Sequence, residues 1–306
     1  MIIGTRGSKL AIVQTENVRG RLKELGYEST IKIVRSLGDV MTDRGLYEMP
    51  EKGVFVKKLD MLLLEGEIDL AVHSMKDIPL ERDELLETSA LLPRDSPFDV
   101  LVSSHKLGDM PDGAVIGTSS VRRKFQFLHF MDAKGVNVKI KDIRGNVDTR
   151  IRKFRSGDYD GVLLAEAGLV RMNLGVEYER LDCDPFVPSP NQGIIAVVSR
   201  KDSDTSAILS KIDDSETRIE ADVENEVLKV IGGGCALPVG VHASCNAASV
   251  GLSVYIGVSR GEHTLEKGIL SKDRCLEDAH EFAKRVTAQS TNPVIYHRGD
   301  HRGRRV

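Results

Sequence analysis

The chain has no tryptophan, and only 5% of its 306 residues are aromatic. So few rings leave little surface for stacking on nucleic-acid bases, which argues against a nucleic-acid partner. No apolar run approaches the roughly 18 residues that suggest a membrane helix, and Met1 leads straight into an apolar segment without the charged start of a signal peptide. The sequence therefore predicts a globular cytoplasmic protein with no membrane partner.

Cysteine is scarce as well. The four cysteines, Cys183, Cys235, Cys245 and Cys275, form no C-x-x-C pattern, so neither a disulfide framework nor a zinc ribbon is indicated. The pair His242 and Cys245 supplies too few ligands to predict a metal site. No metal is expected, and a reducing cytoplasm fits this cysteine usage.

The net charge of −3 is unevenly distributed. Residues 118–155 contain eleven Lys and Arg against three Asp, so the remainder of the chain is clearly acidic. A basic segment in an acidic chain indicates a polyanionic ligand bound at one place. An RNA-binding protein is the weaker interpretation of the segment, because tryptophan is absent and the remainder is acidic.

The order of the predicted elements indicates two α/β lobes. Residues 1–72 show a β-α-β-α-β pattern, which predicts a parallel sheet covered by helices. The pattern restarts near residue 114, and both starts place a strand, Gly-Thr and a capping Ser before a helix: Ile3-Gly4-Thr5-Arg6-Gly7-Ser8 and Ile116-Gly117-Thr118-Ser119-Ser120. Two similar lobes are expected, each with a helix N-terminus at a shared cleft.

Later segments predict a return crossing and a third domain. The Pro-rich residues 184–193 form the second crossing between the lobes, and the strand over 194–198 is expected to rejoin the first lobe. A small α+β domain follows, with residues 297–306 as a frayed tail. The predicted domains are residues 1–94 with 194–213, residues 95–193, and residues 214–306.

Two helices show apolar periodicity. The first, over 9–25, has its apolar positions at Leu10, Val13, Val18, Leu22 and Leu25. The second, over 215–231, presents Ile219, Val223, Val227 and Val230 on one face. It ends in three consecutive glycines, which place Cys235 on an uncrowded loop.

The segment Asp69–Pro79, DLAVHSMKDIP, joins an apolar strand to a polar cluster at its carboxyl end. In an open α/β sheet the carboxyl ends of the strands line the ligand crevice, so His73, Ser74, Lys76 and Asp77 are candidates for a site. Taken alone, the segment fits a solvated loop with a surface Lys–Asp pair equally well.

Nine segments, in the same order along the chain, resemble the porphobilinogen deaminase family, whose members are also called hydroxymethylbilane synthases. They are TRGSKLA (5–11), GD (38–39), KGVFVKKL (52–59), DLAVHSMKDIP (69–79), GTSSVRRK (117–124), IRGNVDTR (143–150), AGLVR (167–171), NQG (191–193) and GGCALPVG (233–240). The resemblance implies two lobes like those of a bilobal periplasmic binding protein, plus a small C-terminal α+β domain. It also implies a monomeric transferase of tetrapyrrole (haem-type) biosynthesis, which deaminates four porphobilinogens and joins them head to tail into hydroxymethylbilane.

The same resemblance implies the site. A dipyrromethane cofactor, made from the substrate, is expected as a thioether on Cys235, and Asp77 is expected as the catalytic residue that stabilises the cation left by ammonia loss. The residues implied to hold the cofactor are Lys76, Thr118, Ser120, Arg122 and Arg123. Those implied to bind the incoming ring are Arg6, Ser8, Arg144, Arg150 and Arg171, with Gln192 at the hinge. Each pyrrole carries an acetate and a propionate, for which guanidinium is a planar, permanently charged partner.

A different class of protein also fits much of the pattern. A non-catalytic binding or sensor protein for a carboxylate ligand would use the same two lobes and the same arginines. It would not explain a cysteine on a glycine loop. The intact mass separates the two, because only the enzyme should weigh more than its sequence, by two deaminated pyrroles.

Overall fold

The computed structural model describes residues 1–34, 54–232, 238–259 and 262–290. Three features predicted above lie outside these residues: Gly38-Asp39, Cys235 with its neighbouring glycines Gly233 and Gly234, and the tail over 297–306. Within the described ranges the strands form two five-stranded sheets and one three-stranded sheet.

The elements are named in chain order. The strands are β1 (Ile2–Arg6), β2 (Thr30–Val34), β3 (Leu70–Ser74), β4 (Leu86–Leu91), β5 (Asp99–Ser103), β6 (Val115–Gly117), β7 (Lys139–Lys141), β8 (Gly161–Ala165), β9 (Glu179–Leu181), β10 (Ile195–Arg200), β11 (Val239–Cys245), β12 (Ser249–Ser259) and β13 (Glu262–Ser271). The helices are α1 (Lys9–Glu24), α2 (Val54–Leu64), α3 (Val121–Ala133), α4 (Val147–Arg155), α5 (Glu166–Arg171), α6 (Asp204–Leu209), α7 (Ser215–Ile231) and α8 (Cys275–Gln289).

The two large sheets have the same topology. The first has the order β2-β1-β3-β10-β4 and the second the order β7-β6-β8-β5-β9. In each sheet the first three strands are parallel, and the fourth is antiparallel to both of its neighbours. The prediction of two similar lobes is therefore confirmed. The three strands within residues 1–72 are parallel, as predicted, and β10 joins them from the opposite direction.

Each antiparallel strand is brought into its sheet by a crossing of the chain. Strand β5 follows the first crossing out of lobe 1, and β10 follows the second crossing back into it, as predicted for the strand after the Pro-rich segment. The crossings touch at Gly193, whose carbonyl accepts from Asp95 N at 3.1 Å. Gly193 has φ +91°, and a Cβ there would lie 2.5 Å from the Asp95 carbonyl oxygen, so glycine is required at this contact.

Helix α1 buries a different set of residues from the set that its periodicity predicts. Val18 and Leu22 are fully buried, but Val13 and Leu25 are exposed, while Gln14 and Thr15 are buried instead. The reason is a contact with a distant segment: the Gln14 amide donates to Ser74 Oγ of β3 at 2.9 Å. Near its N-terminus this helix therefore packs a polar side chain against the sheet.

The third domain packs α7 and α8 against the sheet β11-β12-β13. Val223 and Val227 are fully buried in this core, and Ile219 and Val230 pack at its edge, so the predicted apolar face of α7 is confirmed. The helix ends at Gly232, which has φ +70° and donates its N–H to the carbonyl of Leu228.

A buried ion pair links this domain to both crossings between the lobes. Arg94, in the first crossing, donates to Glu224 Oε1 of α7 at 2.7 Å. The same carboxylate accepts from the backbone N–H of Asn191 in the second crossing, and from Ala243 N of β11. Glu224 is fully buried, and the hydrogen bonds from these three partners compensate for the loss of hydration. The predicted fold class, two α/β lobes and a small C-terminal α+β domain, is confirmed.

Candidate functional site

A cavity of about 300 Å³ lies where the carboxyl ends of the parallel strands of both lobes meet. The predicted site residues that line it are Arg6, Ser8, Lys76 and Asp77 from lobe 1, Arg123, Arg150 and Arg171 from lobe 2, and Gln192 from the second crossing. Eight side chains that are far apart in sequence are thus brought together around one space.

Two helices begin at this cavity, each with a serine cap. Ser8 Oγ accepts from Ala11 N at 3.2 Å, and Ser120 Oγ accepts from Arg123 N at 3.4 Å. Ser8 lines the cavity, whereas Ser120 does not. The repeated Gly-Thr…Ser pattern therefore produces the same capped helix N-terminus in both lobes, a favourable place for an anion.

The segment Asp69–Pro79 passes from a strand into a 3₁₀ turn at the cavity. Strand β3 extends through Ser74, and a single 3₁₀ turn over Met75–Asp77 follows it, closed by the Ile78 N–H on the Met75 carbonyl. This turn presents Lys76 and Asp77 to the cavity. The interpretation of the segment as a surface loop is therefore wrong.

Lys76 lies close to other cations. Its Nζ donates to Gln192 Oε1 at 3.3 Å. Burial, together with the charge of Arg123, lowers the pKa of Lys76 to about 8. The ammonium is therefore partly deprotonated just above neutral pH, and a carboxylate bound beside it would favour its protonated form.

Asp99 is a buried carboxylate behind the cavity, only 1% exposed at the start of β5. Its Oδ2 accepts from Arg122 Nη1 at 2.6 Å, and its Oδ1 accepts from Arg123 Nε at 3.0 Å and from Gln192 Nε2 at 2.8 Å. Burial alone would raise the pKa of Asp99, but the guanidinium groups of Arg122 and Arg123 outweigh it and hold the pKa well below its usual range. Asp99 is ionised at every working pH.

Two further arginines are held by the backbone. Arg150 Nε donates to the carbonyl of Gly145 at 2.8 Å, and burial, reinforced by the charge of Arg123, lowers the pKa of Arg150 to about 10. Arg171 donates to the Gly193 carbonyl at 2.6 Å and to Asp95 Oδ2 at 2.7 Å. Arg171 thus connects lobe 2 to the point where the two crossings touch.

Four of the predicted site residues do not line the cavity. Besides Ser120, these are Thr118, which is 1% exposed, Arg122, which is 4% exposed, and Arg144. Arg122 Nη1 also donates to Gln126 Oε1 and to the carbonyl of Val187. Arg144 is exposed, and its carbonyl accepts from Lys153.

The sequence did not single out Asp99 or Gln14, and it gave His73 no role, although each contacts or lines the site. A charged residue directly before the apolar run Val100-Leu101-Val102 is the signal that marks Asp99. His73 lines the cavity, and burial with the charges of Arg82 and Arg6 lowers its pKa to about 3, so its imidazole is neutral.

The charges around the cavity define what it can bind. Among the described residues that line it, five carry positive charge, namely Arg6, Lys76, Arg123, Arg150 and Arg171, while Asp77 alone carries a negative one. Such a set is suited to a ligand with several carboxylates. Dipyrromethane, with an acetate and a propionate on each ring, fits this donor set.

The fold and the cavity define a two-lobed α/β protein whose cavity is suited to a small polyanion. The family comparisons agree. Residues 1–207 match the model described as porphobilinogen deaminase, dipyromethane cofactor binding domain, and residues 218–291 match that of the porphobilinogen deaminase C-terminal domain. The chain belongs to the porphobilinogen deaminase family.

Individual relatives and structures were also compared. A protein of Methanocella arvoryzae named probable porphobilinogen deaminase is 49% identical over 247 residues, which is 80% of each chain. One of the same name from Archaeoglobus fulgidus is 44% identical over 288 residues, 93% of this chain and 96% of that one. The second substrate-binding domain of Lactococcus lactis GlnP has a TM-score of 0.44 and 12% identity, over 76% of this chain and 89% of that domain.

Membership of this family makes the chain a transferase of tetrapyrrole biosynthesis that forms hydroxymethylbilane from porphobilinogen and uses a dipyrromethane cofactor. The alternative of a non-catalytic carboxylate-binding protein is not favoured by these matches. In the described parts of the chain, no helix is both long and apolar enough to cross a bilayer.

Proposed function

We propose that the cavity between the lobes is where this chain joins porphobilinogen units, with Asp77 as its catalytic residue. The observation that carries the proposal is the charge distribution: five cations and one carboxylate around about 300 Å³. The cations match the carboxylates of the pyrrole chain, and the carboxylate matches the cation formed when ammonia leaves.

The cofactor is proposed to be a thioether on Cys235, held through its carboxylates by Lys76 and Arg123 at the cavity. Thr118, Ser120 and Arg122 are proposed to belong to the same cofactor-binding part of the site. Thr118 and Arg122 are buried there. When bound, dipyrromethane supplies the pyrrole carbon to which the next ring is joined.

The other residues that line the cavity are proposed to bind the incoming porphobilinogen. Arg6 and Ser8 stand at the N-terminus of α1, while Arg150 and Arg171 approach from lobe 2. Arg144, exposed at the mouth, is proposed to meet the substrate on entry, and Gln192 lies between the two groups.

Asp77 is proposed to act in two ways. Its carboxylate stabilises the positive charge that spreads over the pyrrole as the amine departs, and it accepts or returns a proton at the pyrrole nitrogen. Among the described residues that line the cavity, the other charged groups are cations, which supports Asp77 as the source of this stabilisation.

The chain is proposed to work as a cytoplasmic monomer with domains at residues 1–94 with 194–213, 95–193, and 214–306. The described cysteines Cys183, Cys245 and Cys275 are free thiols, which suits a reducing compartment.

The experiment that tests the proposed function is intact mass measurement. Protein produced without porphobilinogen should have the mass of its sequence, and on addition of porphobilinogen it should gain two deaminated units and then release hydroxymethylbilane and ammonia. Wild-type protein that gains no mass, while remaining folded, would refute the proposed function.

Arg123→Leu and Arg144→Leu should separate cofactor loading from substrate entry. Each charge-assisted hydrogen bond to a carboxylate contributes about 1.5–3 kcal/mol, so Arg123→Leu should reduce loading by about 10- to 100-fold. The unloaded protein should also unfold at lower temperature, because a ligand bound only to the native state stabilises it. Arg144→Leu should remain loaded and show a raised KM. Equal loading and equal KM in the two variants would show that this division of the site is wrong.

The loading rate should depend on pH through Lys76. Since the pKa of Lys76 in the free cavity is about 8, its positive charge is present below that pH and is lost as the pH rises through it. We expect the loading rate of cofactor-free protein to fall above about pH 8. Lys76→Arg keeps its charge throughout this range, so its loading rate should stay level. A decline of equal size in both proteins would exclude Lys76 as the titrating group.

A further inference from the structure

Asp99 holds groups from three parts of the molecule in one orientation. Arg122 and Arg123 begin α3 of lobe 2, Gln192 belongs to the second crossing, and Lys76 reaches the same cluster from lobe 1 through the Gln192 amide. We propose that Asp99 is a positioning residue, which fixes the Arg123 guanidinium and the Gln192 amide so that the cavity can take up the cofactor. This inference rests on the proposed function.

The first argument is the direction of each hydrogen bond. Arg123 donates Nε to Asp99 and Nη1 to the Leu163 carbonyl at 3.1 Å, so the plane of its guanidinium is held on two sides. Its Nη2 lies 2.8 Å from Asp99 Oδ1 and donates to Gln192 Oε1 at 3.3 Å. A guanidinium held in this way loses little conformational freedom when it binds a carboxylate.

The second argument is the orientation of the Gln192 amide. The carbonyl of Pro97 and the ionised Asp99 can only accept, so the group that faces them, at 2.7 Å and 2.8 Å, is the amide nitrogen. The amide oxygen is therefore turned toward Lys76 and Arg123. Asp99 thus determines which side of Gln192 meets the two cations.

The third argument is charge balance. Lys76, Arg122 and Arg123 crowd together behind and beside the cavity, and the charges that face Lys76 are those of Asp77, Asp99, Arg122 and Arg123. Asp99 is the buried carboxylate in this set and offsets part of the mutual repulsion. Without it, the three cations would repel one another and Lys76 would lose its proton at lower pH.

Asp99→Asn tests the inference because it keeps the size and removes the charge. An asparagine at this position has one acceptor oxygen, and its NH₂ would face a donor from Arg122, Arg123 or Gln192. We expect protein purified from ordinary expression to carry the cofactor in a fraction about tenfold or more below that of wild type.

A pH profile distinguishes positioning from a purely structural role. In Asp99→Asn the decline in loading rate should begin at lower pH than in wild type, because Lys76 has lost a neighbouring negative charge. Glu166→Gln is the matched control. Glu166 is a buried carboxylate of the same lobe that pairs with Arg180 and does not itself line the cavity. This control should lose stability, yet its folded fraction should load fully and keep the wild-type pH profile.

The outcomes separate this inference from the proposed function. Complete loading of Asp99→Asn with an unshifted pH profile would overturn the inference, whereas absence of loading in wild type would overturn the function itself. If Asp99→Asn does not fold, Asp99→Glu provides the test, since it keeps the charge and moves it by one methylene. It should load incompletely with the wild-type pH profile, and complete loading would exclude positioning by Asp99.

Discussion

Asp77→Asn should lower turnover by about two to four orders of magnitude, the loss associated with removing one preorganised charge or one acid–base group. The substitution keeps the size of the side chain and one hydrogen-bond acceptor, but it removes the negative charge and the proton acceptor. In a cavity where the other charged side chains described are cations, the developing positive charge would then have no counterion. Departure of ammonia should therefore be the step that slows.

The measurement is single-turnover ammonia release from cofactor-loaded protein, with intact mass followed in parallel. Asp77→Glu is the matched control, because it keeps the charge and displaces it by one methylene. It should lose less activity and accumulate partly built chains. Circular dichroism should be unchanged in both variants, since Asp77 is an exposed residue of the 3₁₀ turn and not part of the core. Release at nearly the wild-type rate by Asp77→Asn would remove Asp77 from the mechanism.

Most of the architecture could be predicted because segments with a regular apolar pattern are also segments that pack in the core. Helix α7 has the predicted bounds, 215–231, and a clear apolar pattern. Strands β4, β5 and β9 were not predicted. Two of them, β4 and β9, lie at the edge of a sheet, and β4, LETSAL, has no regular alternation that would mark a strand.

The residue types in the motifs indicated the chemistry of the site, but contacts between distant segments determine how the site residues are arranged. Asp77 and the cavity arginines were singled out as candidates from their motifs, whereas Asp99 gains its proposed role only because α3 and the second crossing meet at β5. The exposed Val13 in α1 is a similar case. The apolar periodicity of α1 predicted that Val13 is buried. Gln14 is buried instead, because its amide hydrogen-bonds to Ser74. Pairings between distant segments of this kind leave no local pattern in the sequence.

Cys235→Ser should abolish both the cofactor and the activity, while the protein still folds. Cys235 lies outside the described residues, so the expectation rests on its place in the GGCALPVG motif and on the properties of the other cysteines. A serine hydroxyl is far less acidic than a thiol and a much weaker nucleophile, so it should not attach the pyrrole at a useful rate. The intact mass should equal that of the sequence with or without porphobilinogen.

The three remaining cysteines are the internal controls, and their surroundings argue against a role as the anchor. Burial raises the pKa of the Cys183 thiol to about 12 and also raises that of Cys275. Cys245 ends strand β11, and its Sγ contacts the carbonyl of Asn246 at 3.6 Å. Because the thiolate is the reacting form, raised pKa values make the first two poor nucleophiles near neutral pH. Serine at any of the three positions should therefore leave the added mass in place. Loss of the added mass in one of them, with Cys235→Ser still loaded, would move the anchor out of the glycine loop.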